Sequence, residues 1–297
     1  MQAAERQDLD VKFSIIVVCL NPGRKLKDTM DSILEQTCRD FEVVLKDGGS
    51  TDGSVEPWRQ GADTAGSMEP GASWEPNGAK VRFFQEKDKG IYDAMNQAVS
   101  YAAGDFVLFM NCGDRFADER VLERTAERIA AEKATGTDMD RLVLYGDTLS
   151  EKNGVTIASA STINGFTCYR NIPCHQSCFY STALCREKPY DLKYRIRADY
   201  DHFLWCFYRA GVKFEHMGFP VASYEGGGYS ESKQNRKRDK QEHKQITNIY
   251  MRRGELLRYK IIMACTLAPL RRTMAESKIF SGLYHWVKER VYRQRKN

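Results

Sequence analysis

Polar side chains that could bind an anion or a metal ion follow four apolar segments of this 297-residue sequence. Asn21 follows the first segment, Asp47 the second and Asp88 the third, and Asn111 and Asp114 follow the fourth. If the segments are parallel strands, their carboxyl ends meet at one edge of a sheet, where open α/β proteins bind ligands. Each group alone also fits ordinary turn chemistry. Together they predict one crevice, whose carboxylates suit a hard divalent cation that neutralises a diphosphate.

Three common motifs for such a crevice are missing from the sequence. No G-x-G-x-x-G follows the first segment and no G-x-x-x-x-G-K-[ST] occurs, so neither a dinucleotide fingerprint nor a P-loop is predicted. There is also no G-x-S-x-G nucleophile elbow. The carboxylates therefore remain as the candidates for the chemistry.

The elements that must position these groups alternate between strand and helix patterns. Phe13–Leu20 is a β-branched apolar run, typical of a parallel strand that is buried on both faces. Further strands are predicted at Phe41–Leu45, Val81–Phe84 and Phe106–Met110, and a helix is predicted at Ile91–Ala103. Alternation of this kind indicates βαβ units with right-handed crossovers, and hence an open α/β sheet.

The later part of the sequence has shorter signals. No periodicity occurs between Arg59 and Ala79, which predicts a loop insertion rather than a domain boundary. We expect one α/β domain over residues 1–230 and a polar, basic, helical extension over residues 231–297. A helix is predicted at Ala198–Ala210, with brief strands at Thr156–Ile157, Ser177–Tyr180 and Val212–Phe214.

Composition excludes several classes of protein. The chain is 42% apolar and 11% aromatic, which argues against a largely disordered protein. Its apolar runs are far below the ~18 residues that span a bilayer, and residues 1–11 carry no pattern of a secretion signal. Nine cysteines occur, but those in residues 168–185 have no C-x-x-C spacing of a zinc site. Reduced thiols in a cytoplasmic protein are therefore expected.

Three motifs together resemble those of the family 2 glycosyltransferases. Residues 41–53 read F-E-V-V-L-K-D-G-G-S-T-D-G, residues 86–96 read E-K-D-K-G-I-Y-D-A-M-N, and residues 104–114 read G-D-F-V-L-F-M-N-C-G-D. Their order and spacing resemble the branch that builds bacterial surface polysaccharides, of the colanic-acid type, over roughly residues 13–230. The resemblance implies a GT-A fold, a nucleotide-sugar donor, and an inverting hexosyl transfer to a lipid-linked or oligosaccharide acceptor.

The resemblance also implies which residues bind the donor. Asp47 would contact the nucleoside base with Asn21 beside it, Asp88 and Gly90 would lie near the donor, and Asp93 would hold donor hydroxyls. Independently of any family, a helix that begins at Gly90 favours a negative charge at its N-terminus. The implied donor-binding set is Asn21, Asp47, Gly48, Asp88, Gly90, Asp93 and Asn111.

The implied metal site departs from the commonest pattern of the family. Many relatives carry D-x-D-D after the fourth strand, whereas residues 111–114 read N-C-G-D and leave Asp114 as the one carboxylate. Related polysaccharide enzymes have N-S-G-D here. A single carboxylate fits a cation that keeps several waters and contacts the diphosphate. We therefore expect Asp114 to hold Mg²⁺ or Mn²⁺.

Asp199 is the residue that the resemblance implies as the catalytic base, because relatives have an aspartate at this helix start. The alternative is a simple helix cap or dipole partner. Asp201 is expected to be structural, because it lies on another helix face. His175 and Gln176 match a His-Gln pair on the acceptor side of relatives, and the alternative for His175 is local hydrogen bonding. Residues 225–230 resemble a glycine-rich segment that meets donor phosphates, or else form a linker.

The C-terminal extension is strongly basic. Residues 231–297 contain 18 Lys and Arg against 6 Asp and Glu, while the preceding residues contain 27 against 34. On a helical wheel, Phe280, Leu283 and Val287 share an apolar stripe, which is typical of an interfacial helix. We expect this helix to bind an anionic membrane surface, with the protein peripheral on the inner face of the plasma membrane. The alternative is that the stripe packs on the catalytic domain or on a second subunit.

Two other functions fit parts of the sequence. The basic extension suits a nucleic-acid-binding protein, but no RNP-like aromatics, C2H2 pattern or basic-region heptads occur, so no nucleic acid is expected. A glycosidase also uses carboxylates, but it needs two facing carboxyl groups and no nucleotide site. The loop at Asp47 argues against a glycosidase.

Overall fold

The computed structural model describes residues 12–64, 73–151, 154–224 and 235–265. Four features expected from the sequence lie outside these ranges. They are the start at residues 1–11, the glycine-rich segment 225–230, the boundary between residues 230 and 231, and the amphipathic stripe within 277–297. The chain divides into two compact units, one ending at Ile246 and one beginning at Thr247.

The strands of the described residues belong to one mixed sheet. In chain order they are Phe13–Cys19 (β1), Phe41–Asp47 (β2), Ser73–Trp74 (β3), Lys80–Gln85 (β4), Phe106–Asn111 (β5), Arg115–Phe116 (β6), Leu142–Ser150 (β7), Val155–Ile157 (β8), Cys178–Ser181 (β9) and Lys213–Tyr224 (β10). Their spatial order is β3-β4-β2-β1-β5-β9-β7-β10-β6, and β8 pairs with β7. The open mixed sheet confirms the predicted fold class.

Helices of the first unit flank this sheet. In chain order, the helices of the described residues in both units are Arg24–Leu34 (α1), Glu56–Thr64 (α2), Ile91–Tyr101 (α3), Val121–Ala134 (α4), Gly165–Arg170 (α5), Thr182–Glu187 (α6), Ala198–Tyr208 (α7), Asn235–Tyr250 (α8) and Arg253–Cys265 (α9). Short 3₁₀ turns cover Pro76–Gly78, Met139–Arg141 and His175–Ser177. The described part of the predicted C-terminal extension, residues 235–265, contains α8 and α9.

The centre of the sheet is parallel. β1 pairs with β2 on one side and with β5 on the other, and β2 pairs in turn with β4. Every residue of β1 and β2 is buried, including the polar Ser14 of β1 and the charged Glu42, Lys46 and Asp47 of β2. The rest of both strands is apolar, which is typical of parallel strands covered on both faces. Cys19 aligns with Asp47, Asp47 with Gln85, and Val18 with Asn111. This register places the loops after four strands at one edge, as the sequence predicted.

One strand of the later chain is longer than predicted. The expected brief strand at Val212–Phe214 is the start of the 12-residue β10, which runs parallel to β7 and bends at a bulge between His216 and Pro220. Gly218, at φ +79°, takes the left-handed conformation that this bend requires. The bend and the proline interrupt the alternating pattern by which a long strand is detected.

The segment between Arg59 and Ala79 is also more ordered than expected where the structure describes it. It contains the end of α2, the short β3 and a 3₁₀ turn. Trp58 and Trp74 lie with ring centroids 6.3 Å apart and pack against the core. Aromatic packing, rather than periodicity, thus organises this edge of the sheet.

The second unit contains α9, whose apolar residues lie on two faces. Leu256 and Tyr259 are buried, whereas the side chains of Leu257 and Ile261 are more than half exposed. Arg258 and Lys260 are exposed on the same helix. Within the described ranges, no helix has the length and apolar character needed to cross a membrane.

Candidate active site

A cleft of about 430 Å³ opens beside the carboxyl end of β5, within the first unit. The cleft is lined by the start of α3, the start of α7 and residues of the 3₁₀ turn at His175–Ser177. Five predicted site residues come together here. They are Asn111, Asp114, His175, Gln176 and Asp199.

Asp199 sits in the first turn of α7 and is held from two sides. The Tyr92 hydroxyl lies 2.9 Å from Asp199 Oδ1 and 2.6 Å from the Ile196 carbonyl oxygen. His175 Nδ1 lies 3.5 Å from Asp199 Oδ2, and the other ring nitrogen, Nε2, lies 3.1 Å from Asn111 Nδ2. The Asp199 side chain remains 22% exposed, so its carboxylate is open to the cleft.

These contacts favour the charged form of Asp199. Burial by itself would raise the pKa of this carboxyl, but the contact with His175 and the hydrogen bond from Tyr92 outweigh it. The pKa of Asp199 therefore lies below its ordinary value of 3.8. A carboxylate that is ionised at neutral pH and open to a cleft can accept a proton from a bound hydroxyl group.

Asp201, the second acidic residue of this helix turn, has a different environment. It is only 3% exposed, and Lys188 Nζ donates to its Oδ2 at 2.6 Å. It does not line the cleft. The geometry supports a structural role for Asp201, as the sequence predicts.

Asp114 lies on the floor of the cleft and is 5% exposed. Burial raises its pKa to about 6, although the hydrogen bond from Gln176 Nε2 to Asp114 Oδ2, at 2.6 Å, opposes this rise. The loop that carries Asp114 is fixed by Thr29, whose hydroxyl donates to the Asp114 carbonyl oxygen at 2.8 Å. None of the ion pairs of the described residues includes Asp114, although Lys25 and His175 also oppose the rise of its pKa. A metal ion at this position would relieve the cost of burying the charge.

Asn111 provides a second unsatisfied acceptor near this position. Its Oδ1 is buried and has no hydrogen-bond partner among the described residues. No group of three or more His, Cys, Asp or Glu residues with metal-binding geometry occurs in the described ranges. One carboxylate and one amide oxygen nevertheless fit a divalent ion that takes its remaining ligands from water and a diphosphate.

The other predicted donor-binding residues form a second group at the same sheet edge, outside the lining of the cleft. Asp47 is fully buried, and its carboxylate is occupied within its own loop. It accepts hydrogen bonds from the Gly49 and Ser50 amides, the Ser50 hydroxyl and Gln85. These bonds outweigh the effect of burial and lower the pKa of Asp47. Asn21 lies beside this loop, because its Oδ1 accepts from the Thr51 amide at 2.8 Å.

Asp88 is bound by a cation that the sequence did not draw attention to. Lys46 is completely buried, and its Nζ donates to Asp88 Oδ2 at 2.6 Å and to the Glu86 carbonyl oxygen at 2.7 Å. A Cβ atom at Gly48 would come within 2.7 Å of Asp88 Oδ2, so this loop closes only over a glycine. The Lys46–Asp88 pair therefore fixes the Asp47 loop against the Asp88 loop.

The start of α3 is organised by short-range hydrogen bonds. Asp88 Oδ1 accepts from the Gly90 amide at 3.0 Å, and Asp93 Oδ2 accepts from the Lys89 amide at 2.8 Å. Gly90 has φ +124°, a conformation that other L-residues rarely adopt. These contacts set the direction in which α3 presents Tyr92 to Asp199.

Sequence reasoning missed three residues that shape the site. Tyr92 lies within a quoted motif but was not singled out, Lys46 reads as part of a strand, and Glu242 lies in the basic extension. Glu242 is 5% exposed and accepts hydrogen bonds from the backbone just before α7. For Tyr92, the signal was a polar aromatic residue in the first turn of a helix that faces the strand ends. No local signal marks Glu242.

Known proteins with similar sequences share one activity class. The family model described as Glycosyl transferase family 2 matches residues 14–190. A PGL/p-HBAD biosynthesis glycosyltransferase of Mycobacterium bovis is 35% identical over 220 residues, which are 73% of this chain and 78% of that protein. An uncharacterised glycosyltransferase of Mycobacterium tuberculosis is 31% identical over 198 residues, 64% of this chain and 67% of that protein.

Similar solved structures agree on the fold. S. aureus TarS 1-349 in complex with UDP-GlcNAc has a TM-score of 0.56 at 18% identity, covering 90% of this chain and 74% of that one. The mannosyltransferase PcManGT from Pyrobaculum calidifontis, in complex with GDP-Man and Mn²⁺, has a TM-score of 0.58 at 15% identity. The match covers 93% of this chain and 83% of that one. This chain spans 37% of the longer TarS chain. The fold is GT-A, and on its sequence the chain belongs to glycosyl transferase family 2.

Proposed function

We propose that this chain is an inverting hexosyltransferase that moves a sugar from a nucleotide-sugar donor to a hydroxyl group of a lipid-linked or oligosaccharide acceptor in bacterial surface-glycan synthesis. The observation that carries the proposal is the Asp199 carboxylate, which faces the cleft while Tyr92 and His175 keep it ionised. Inversion by single displacement requires one base that takes the acceptor proton as the hydroxyl attacks. Asp199 is that base, and His175 and Gln176 line the acceptor side.

The donor is proposed to lie along the carboxyl ends of the parallel strands. Two structural neighbours are described in complex with UDP-GlcNAc and with GDP-Man, which supports a nucleotide-sugar donor. On this chain, Asn111 faces the sugar end. The nucleotide end is formed by the two loops that the Lys46–Asp88 pair holds together, through Asn21, Asp47, Gly48, Asp88, Gly90 and Asp93.

Mg²⁺ or Mn²⁺ is the proposed cofactor. Asp114 and the unpartnered Oδ1 of Asn111 would hold it, and the ion would neutralise charge on the diphosphate leaving group. The Mn²⁺ in the PcManGT complex supports this assignment. Gln176 would hold the carboxylate of Asp114 in place for the ion, and Thr29 fixes the loop that carries it.

The acceptor is proposed to be presented at a membrane surface. Relatives named for PGL/p-HBAD biosynthesis support a cell-surface glycan. The basic extension supplies the charge for an anionic bilayer, and each Lys or Arg near such a surface contributes about 1 kcal/mol. In the described part of the extension, α9 exposes the apolar Leu257 and Ile261 beside the basic Arg258 and Lys260. Exposed apolar and basic side chains together are typical of a helix that binds a membrane surface.

The experiment that tests the function is a donor screen followed by a transfer assay. Thermal shifts are measured with UDP- and GDP-sugars, with and without Mg²⁺ or Mn²⁺. A donor at 100 times its dissociation constant stabilises the folded chain by about 2.7 kcal/mol. Transfer to a polyprenyl-linked acceptor is then followed by nucleotide release, and the anomeric configuration of the product by NMR.

The matched variants are Asp199→Asn and Asp201→Asn. The first keeps the shape of the side chain but removes the proton acceptor, so transfer falls by roughly 10²–10⁴ while donor binding is kept. The second alters a carboxylate two residues away that does not line the cleft. Transfer at the wild-type rate by folded Asp199→Asn, or retention of the anomeric configuration, contradicts the proposal.

A further inference from the structure

Glu242, on α8, is a buried carboxylate whose hydrogen-bond partners among the described residues are backbone amides. Its Oε1 accepts from the Arg195 amide, and its Oε2 accepts from the amides of Ile196 and Arg197, all at 3.0 Å. Among the ion pairs of the described residues, none includes Glu242. A carboxylate that is 5% exposed and has no cationic partner is costly unless hydrogen bonds satisfy it, and three N–H groups do so here.

The three amides belong to the turn that leads into α7. Arg197 is the residue before the helix and provides no side-chain cap. Glu242 instead binds the backbone amides of the three residues that precede the helix. Glu242 follows this turn by 45 residues in sequence. Through it, α8 determines where α7 starts and in which direction the first turn of α7 points.

This turn is connected directly to the side chain of Asp199. The Ile196 carbonyl oxygen, which lies between two of the amides that Glu242 binds, is 2.6 Å from the Tyr92 hydroxyl. The same hydroxyl is 2.9 Å from Asp199 Oδ1. A displacement of Ile196 therefore moves the group that hydrogen-bonds the proposed base.

We propose that Glu242 is a positioning residue for sugar transfer: by holding the backbone of Arg195, Ile196 and Arg197, it keeps Tyr92 and Asp199 in the geometry that the base requires. The inference rests on the proposed function for the role of Asp199. It goes beyond that function because it makes α8, which lies outside the residues that the family model matches, part of the active site. Glu242 itself does not line the cleft and touches no reacting atom.

The first measurement needs no substrate. The full chain is labelled with ¹³C at aspartate carboxyl groups, and the Asp199 signal is identified by its loss in Asp199→Asn. In Glu242→Gln, an amide group faces N–H donors, so at least one of the three hydrogen bonds is lost. The contact from Tyr92 then loosens, and we expect the pKa of Asp199 to rise, although loss of the Glu242 charge by itself favours the ionised form.

The matched control is Glu255→Gln. Glu255 also accepts a hydrogen bond from a backbone amide, that of Arg252 at 2.9 Å, but at the start of α9. It should leave the Asp199 titration unchanged. If Glu242→Gln does not fold, Glu242→Asp, which keeps the charge on a shorter side chain, should give a smaller rise. An unchanged Asp199 titration in whichever folded variant is measured overturns the proposal.

The second measurement uses transfer from UDP-GlcNAc or GDP-mannose. In Glu242→Gln, kcat should fall about tenfold, KM for the donor should stay within about twofold, and the acid limb of the kcat profile should move to higher pH. A fall in kcat with an unmoved acid limb means that Glu242 serves stability alone, and this also overturns the proposal. Failure of the wild-type chain to transfer sugar contradicts the proposed function instead, and leaves the NMR titration as the test of Glu242.

Discussion

Replacing Asp114 by Asn should stabilise the metal-free protein while it removes the metal-dependent reaction. Asn has nearly the same shape and can still accept the hydrogen bond from Gln176, but it carries no buried charge. The pKa of Asp114 is about 6 in the folded chain, against an ordinary value of 3.8. At ~1.36 kcal/mol per pKa unit, the ionised carboxylate costs about 3 kcal/mol of folding free energy.

The sign of the pH dependence follows from the raised pKa. The folded chain binds this proton more tightly than the unfolded chain, so the cost is absent below pH 3.8, grows between 3.8 and 6, and is complete above 6. In EDTA at pH 8, Asp114→Asn should therefore melt roughly 5–10 °C above wild type. The difference should shrink towards zero as the pH falls to 4. Mn²⁺ with UDP-GlcNAc or GDP-mannose should raise the melting temperature of wild type but not of the variant.

Asp191→Asn is the control with the opposite sign. Burial alone would raise the pKa of Asp191, but the ion pair with Lys193 outweighs burial and lowers this pKa. Asp191→Asn should therefore slightly destabilise the chain at neutral pH. Equal or lower stability of Asp114→Asn at pH 8, or a gain that persists unchanged at pH 4, refutes the conclusion that burial raises the pKa of Asp114.

Three further predictions concern other parts of the chain. His175→Ala removes a contact that lowers the pKa of Asp199, so the acid limb of the pH profile of kcat should move to higher pH. If the limb does not move, His175 only lines the acceptor side. Lys46→Met should cost about 3–5 kcal/mol in urea unfolding because Asp88 is left unpaired, and the double variant with Asp88→Asn should recover part of the loss. The full chain should co-sediment with anionic liposomes at low salt and be released at high salt. A chain that ends at residue 276 should not bind the liposomes. If the full chain does not bind them either, the proposed membrane association is wrong.

The parallel centre of the fold could be predicted from the sequence because its strands are buried on both faces. β1 is apolar apart from Ser14, and β2 has an apolar centre over residues 43–45, so the groups that follow these strands lie at one edge. β10 could not be predicted in full, since Gly218 and Pro220 break its pattern at the bulge. A strand is detected in a sequence by its regular alternation of apolar and polar residues. A bend within the strand interrupts this alternation, so the strand is predicted to be shorter than it is.

The side-chain contacts of the site were less accessible to sequence reasoning. The pairing of Tyr92 with Asp199 joins residues 107 positions apart and depends on how α3 and α7 face each other. Asp47 was expected to point at a ligand, but its oxygens bind the amides of its own loop, and the residue type does not determine this choice. The bound loop keeps Asp47 at the predicted position, and its role towards the donor stays a prediction.

The packing of α8 has a consequence for any attempt to define a minimal catalytic fragment. The family model ends at residue 190, yet the first unit continues to Ile246. His243 stacks on Tyr200 with ring centroids 5.2 Å apart, and its Nε2 lies 2.9 Å from the Tyr169 carbonyl oxygen. A fragment that ends at residue 230 would keep all three sequence motifs but uncover these aromatic rings, so it should be prone to aggregation. A fragment that ends after Ile246 keeps them covered and is the shorter form to express.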